Sequence, residues 1–180
     1  MRALLLCLLL ALASPATAAP TGAECCIAWL RARLWVREAT GHNDGPAVAA
    51  IIAANNGNPR DEWCGHTQAD AQRSCGLPVP KGSGGSYNWF LDRVRTFYLV
   101  GVRGTLDAIQ PGHLVGIYSP KRGRIAHITR AVQVVPPLRK GRPPRGFYCI
   151  GGNEGSGTNA GMHLTYYPSG GIHAAANWSN

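Results

Sequence analysis

The hydrophobic period of the chain changes at Gly101, and that change restricts the fold more than any other feature. Before it, apolar residues recur at helical spacing between turn signals. After it, runs rich in β-branched residues alternate with glycine and proline turns. Thr21-Gly22-Ala23-Glu24 reads as a capping box that opens a helix from Glu24 to about Ala39, with Ile27, Leu30 and Leu34 on its apolar stripe. Trp29 and Trp35 are read as core or staple residues rather than ligand platforms. Pro46 starts a second helix through Val48, Ile51 and Ile52. A third runs from Asp61 as N-cap to Gly76 as stop, and a fourth from Tyr87 to about Tyr98 with Trp89, Phe90, Val94 and Phe97 buried. Strands are expected at Leu114 to Tyr118, Arg124 to Val135, Phe147 to Gly151 and Met162 to Tyr167, followed by a tail. Helices first and strands after give an α+β class, an antiparallel sheet packed on helices.

Residues 1–18 read as a signal peptide. Arg2 precedes an apolar run from Ala3 to Ala13, and Ala16 and Ala18 make a small-residue cleavage site. The expected mature chain, 19–180, is then a single exported domain, secreted or periplasmic, with no stable membrane anchor and monomeric. Without Arg2 it carries 17 basic and 9 acidic side chains, a net charge of +8, which favours polyanionic partners. Cysteine usage fits an oxidising compartment. Cys7 leaves with the leader, and Cys25, Cys26, Cys64, Cys75 and Cys149 remain. Adjacent Cys25 and Cys26 do not suit bridging each other. Two bridges from them to Cys75 and Cys149 would leave Cys64 as the free thiol, with connectivity open. No C-x2-C pair supports zinc, and no metal or organic cofactor is expected. The basic, proline-rich stretch from Pro136 to Gly146 reads as a solvated loop.

Cys64 falls in the first turn of the third predicted helix, where the positive end of the dipole favours thiolate over thiol. Alone, such a residue is equally a structural thiol or half of a disulfide. A base partner decides. Of six histidines, His66 is only two residues on and diverges from Cys64 around a helix, His42 lies in a turn and His173 in the tail. His127 sits mid-strand, where a polar ring needs a partner. A third group is needed to orient that imidazole, and Asn153 or Glu154 after the next strand offers one. Strand alternation sets Asn153 on the face of Gly151 and Glu154 on the other, so Asn153 is assigned and Glu154 held in reserve.

In this order the residues resemble the papain-like cell-wall hydrolases of the cysteine, histidine-dependent amidohydrolase/peptidase (CHAP) group. Trp63-Cys64-Gly65 is similar to that family's nucleophile motif, Pro111-Gly112-His113-Leu114-Val115 to its strand entry, Ala126-His127-Ile128 to its histidine strand, and Gly151-Gly152-Asn153 to its orienting segment. Glu38 to Pro46 also resembles the amino-terminal part of some members, so the likeness spans Glu24 to Tyr167. Two positions depart from the pattern. His113 stands where Asp is usual, and Gly151 where many members carry Glu. The resemblance implies a papain-like fold and hydrolysis of peptidoglycan amide bonds by Cys64, His127 and Asn153, with the Cys64 N–H in an oxyanion hole. Its partner would be peptidoglycan or another carboxylate-rich wall polymer rather than nucleic acid. The alternative is an inactive, basic, secreted wall-binding domain of the same fold.

Overall fold

The computed structural model describes residues 21–179; the expected leader, with Cys7, lies outside them. Among the described residues three α-helices come first: α1 (Gly22–Arg31), α2 (Pro46–Ala53) and α3 (Cys64–Ser74). Six strands follow, β1 (Thr96–Leu99), β2 (Leu114–Ser119), β3 (Arg124–Val135), β4 (Gly146–Glu154), β5 (Gly161–Pro168) and β6 (Ile172–Ala176). They form one antiparallel sheet in the order β1-β6-β2-β3-β4-β5. The α+β class stands. No described helix is long and apolar enough to cross a membrane.

The capping box at α1 is formed, with Thr21 accepting from the Glu24 N–H and Glu24 closing back on the Thr21 N–H. The helix stops at Arg31, short of the expected Ala39. Tertiary pairing ends it: Glu38 N–H donates to the Ala160 carbonyl and Met162 N–H to that of Val36, stitching 36–38 to the start of β5. Trp35 is thereby left 69% exposed rather than in the core. The expected fourth helix shrinks to a 3₁₀ turn, Ser86–Phe90, followed by a turn at 91–95 and then β1. Asp92 makes the break, its side chain accepting from Val94 N–H and its carbonyl from Thr96 N–H. Val94, assigned to the buried side, points into solvent.

The expected tail contains β6, which runs between β1 and β2. Ala174, Ala175 and Ala176 have low strand propensity, yet all three are fully buried. Ala174 and Ala176 pack with Trp89, Phe90 and Leu114, and Ala175 with Tyr98, Val115 and Ile172. Both faces of the sheet are covered here, so small side chains fit where large ones would not.

The helix that matters most is α3, a polar helix that is almost wholly buried. Its N-cap is Trp63 rather than Asp61, whose carboxylate instead accepts from Asn58 N–H. Gln68 and Gln72, one turn apart, reach the sheet. Gln68 donates to the Ile150 carbonyl, and the carbonyl oxygens of both glutamines accept from the fully buried Arg130 of β3. Arg130 also donates to the Gly112 carbonyl at 2.7 Å. These bonds satisfy polar groups whose burial would otherwise be costly, and they fix where α3 sits on β3 and β4. At the far end of α3 a disulfide joins Cys75 to Cys25 of α1. Cys26, Cys64 and Cys149 are all free and buried, so the expected second bridge is absent.

Candidate active site

The first helical residue of α3 is Cys64, and three neighbours fix it there. The Trp63 indole donates to Glu38 Oε1 at 2.9 Å, while Glu38 Oε2 accepts from Asn43 N–H at 2.8 Å. Thr67 returns a hydroxyl bond to the Trp63 carbonyl. The glycine-rich loop 82–85 lies directly on the first turn. A Cβ on Gly65 would come within 2.2 Å of the Gly84 carbonyl oxygen, so only glycine permits this approach. The loop delivers Ser86, whose hydroxyl lies 3.1 Å from Cys64 Sγ and 3.3 Å from the Ala126 carbonyl.

From the sheet side β3 brings His127. Its ring is close enough to Cys64 for each to shift the other's ionisation, and its Nε2 lies 3.0 Å from Glu154 Oε1. Glu154 Oε2 in turn accepts from the Tyr167 hydroxyl at 2.7 Å. Cys64, His127, Glu154 and Tyr167 thus lie in sequence from the helix start to β5.

Asn153, the residue assigned to orient the histidine, does not do so. Extending the β3–β4 register beyond Arg130 and Ile150 would set Asn153 opposite His127. The β4–β5 pairing, however, slips between Gly151 and Glu154, where three steps on β4 match two on β5. This is a bulge, with Asn153 in the left-handed region at φ 59°. The extra residue reverses the alternation, so Glu154 shares a face with Gly151. A Cβ on Gly151 would stand 3.0 Å from Glu154 Oε1 and 2.8 Å from Thr129 Oγ1. The carboxylate that position 151 lacks is supplied from three residues further on, and it occupies the space that a side chain there would need.

The electrostatics follow from the contacts. Burial opposes ionisation of Cys64, but the His127 hydrogen bond and charge, the Ser86 hydroxyl and the Ile128 N–H together hold its pKa below the ordinary thiol value. Burial likewise works against a charged His127. The Cys64 thiolate and the Glu154 carboxylate overcome it and push the imidazole up to about 10. Glu154, despite its burial, is held low by His127, Tyr167 and Thr165. The other free thiols go the opposite way, Cys26 and Cys149 both being raised by burial. The surroundings thus favour the charged forms of Cys64 and His127 together, with a carboxylate behind them.

The other histidines serve elsewhere. His113 rests on Phe97 and accepts from Gln110 N–H, His163 bonds the Asn159 carbonyl, and His173 stacks on Tyr118. His66 is wedged between Gly57 and Gly84, pointing away from the sulfur as its spacing requires. Among the described residues no group of three or more His, Cys, Asp or Glu is placed to hold a metal.

Access to the sulfur is narrow. Cys64 is 3% exposed, and the cleft beside it, bounded by Glu62, Gly84 to Ser86 and Arg124 to Ala126, holds about 40 Å³. Both Glu62 oxygens are paired with the Arg122 guanidinium from the β2–β3 turn, an ion pair joining the helical and sheet walls. Sequence reasoning did not place Ser86, Tyr167, Glu38 or this pair in the site. Their roles depend on pairing between distant segments, and even Glu38, in a stretch that resembles the family, gives no local sign of its bond to Trp63. Comparison of the chain with protein-family models, with curated proteins and with solved structures finds no match.

Proposed function

We propose that this protein is a secreted cysteine hydrolase that cleaves amide bonds in peptidoglycan. The observation that carries the reading is the placement of Cys64, His127 and Glu154, in which the thiol of a helix's first residue faces an imidazole held at 3.0 Å by a buried carboxylate. That arrangement suits acyl transfer. Cys64 Sγ attacks the amide carbonyl, and the oxyanion forms near the Cys64 N–H, which donates to no backbone acceptor among the described residues. His127 gives its proton to the nitrogen as the C–N bond breaks, releasing an amine and leaving a thioester on Cys64. Water, deprotonated by His127, then attacks the thioester and frees the carboxylate product. Glu154 and Tyr167 keep the ring in place through both halves. The wall polymer as substrate rests on the CHAP resemblance and on the charge of +8 against a carboxylate-bearing polymer.

The test is mass spectrometry of fragments released from purified peptidoglycan. The expected products carry one new amine and one new carboxylate per cut, and Cys64→Ala yields none. Co-sedimentation of the wild-type protein with peptidoglycan, without new ends, would instead identify a binding domain.

A further inference from the structure

On the helical wall, on the side of α3 that carries His66, lies a cavity of about 850 Å³ between the end of α2, α3 and the loop 79–85. It shares Glu62, Gly84 and Gly85 with the narrow cleft at Ser86, so the two spaces adjoin. Of its acidic groups, Glu62 is paired with Arg122, while Asp61 accepts from Asn58 N–H and lies 3.8 Å from His66. Arg73 and Lys81 also line it, both are exposed, and neither side chain has a hydrogen bond or ion pair among the described residues. Asp70 on α3 feels the charges of Arg33 and Arg73 but lines a different cavity. Two cations against the one carboxylate of Asp61 leave this cavity net positive.

The wall that carries it is rigid. The His66 ring fills the gap between two backbones, its Cε1 lying 2.5 Å from where a Cβ would stand on either Gly57 or Gly84. Asn55 donates to the Ile51 and His66 carbonyls beneath it. Burial holds His66 neutral, so the ring contributes shape and no charge.

We propose that this cavity is the subsite for a peptide carboxylate, held by Arg73 and Lys81, and that it selects substrates by the distance of that carboxylate from the cut bond. Arg73 lies nine residues beyond Cys64 on one helix, roughly 13 Å along its axis at about 1.5 Å per residue, and two and a half turns set it on the opposite side, about 10 Å across. Rising along the helix and rounding it takes an extended peptide about five residues. A guanidinium takes a carboxylate through two parallel bonds, and Lys81 adds a mobile point charge. The inference builds on the hydrolase reading, naming a feature of its substrate.

Binding by a protein that cannot turn over tests it separately from catalysis. Calorimetry with Cys64→Ala would use the pentapeptide L-Ala-γ-D-Glu-L-Lys-D-Ala-D-Ala as free acid, as its C-terminal amide, and with only the internal carboxylate amidated. One of the two amidations should weaken binding roughly tenfold, the loss of one charge-assisted contact, and so tell which carboxylate is read. In Cys64→Ala carrying R73Q and K81Q, the free acid should bind like that amide. Equal binding of all three peptides to Cys64→Ala, no binding of the free acid, or discrimination that survives R73Q and K81Q would each overturn the subsite. If discrimination is found while the wild-type protein releases no fragments from peptidoglycan, the hydrolase reading fails and the carboxylate site stands.

Discussion

Three free thiols are buried among the described residues, and their surroundings separate them. Cys26 lies against Gln72 and the Ala71 carbonyl, and Cys149 is enclosed in the sheet, so both are poorer nucleophiles than an ordinary cysteine. Only Cys64 is shifted toward thiolate. Iodoacetamide labelling followed by peptide mapping should therefore mark Cys64 first, at a pH below the ordinary thiol value of 9.0. Its rate should fall only as pH drops through the lowered Cys64 pKa. In His127→Ala the largest ionising influences are gone while burial remains, so the labelling profile should move above 9.0. For turnover the sign on the other limb is fixed by His127, whose raised pKa keeps the proton needed by the leaving amine until pH passes about 10. The rate profile should be bell-shaped, with its alkaline limb there. Glu154→Gln keeps the size but loses the charge that holds the ring, and should lower kcat by roughly 10²- to 10⁴-fold with little change in KM. Cys64 and His127 were legible as residues because a helix start and a mid-strand histidine are local signals. Glu154 was not, because its direction depends on a bulge.

That bulge is an element-scale fact. Alternation along β4 holds to Gly151 and then fails, and Asn153 takes the left-handed conformation that lets it fail. Asn153 is thus important for its backbone, and substitutions should sort by backbone tolerance. Asn153→Gly should leave turnover near that of the parent. Asn153→Val should cost roughly 1–2 kcal/mol in denaturant unfolding, because a β-branched side chain is strained in that region. If Asn153→Gly loses turnover as Glu154→Gln does, the side chain itself acts in the site. The disulfide works at the same scale, tying α1 to the end of α3 across 50 residues. Opening that loop in Cys75→Ser should lower stability by about 4 kcal/mol on the chain-entropy account, measured by urea unfolding. Elements with their own punctuation were readable from sequence: the capping box of α1, Pro46 of α2, and Gly76 after α3. The elements misread were those set by partners, namely the end of α1, the 3₁₀ turn that replaced a helix, and strands β1 and β6.

On the scale of the whole molecule, the two halves of the reactive pair belong to different layers. Cys64 arrives with the helices and His127 with the sheet, and Arg130 with its two glutamines holds the layers in register. The order of strands adds a condition of another kind. Because β6 lies between β1 and β2, the sheet stays split, with β1 detached, until residue 176 can be placed. Removing residues from Ile172 onward should leave two unsatisfied strand edges and a protein without a cooperative unfolding transition, visible as loss of near-ultraviolet dichroism and as aggregation. The same topology carries a timing rule for biosynthesis. A chain emerging from a ribosome cannot complete this sheet early, however slowly the rest is made, because its centre waits for the last strand to be synthesised.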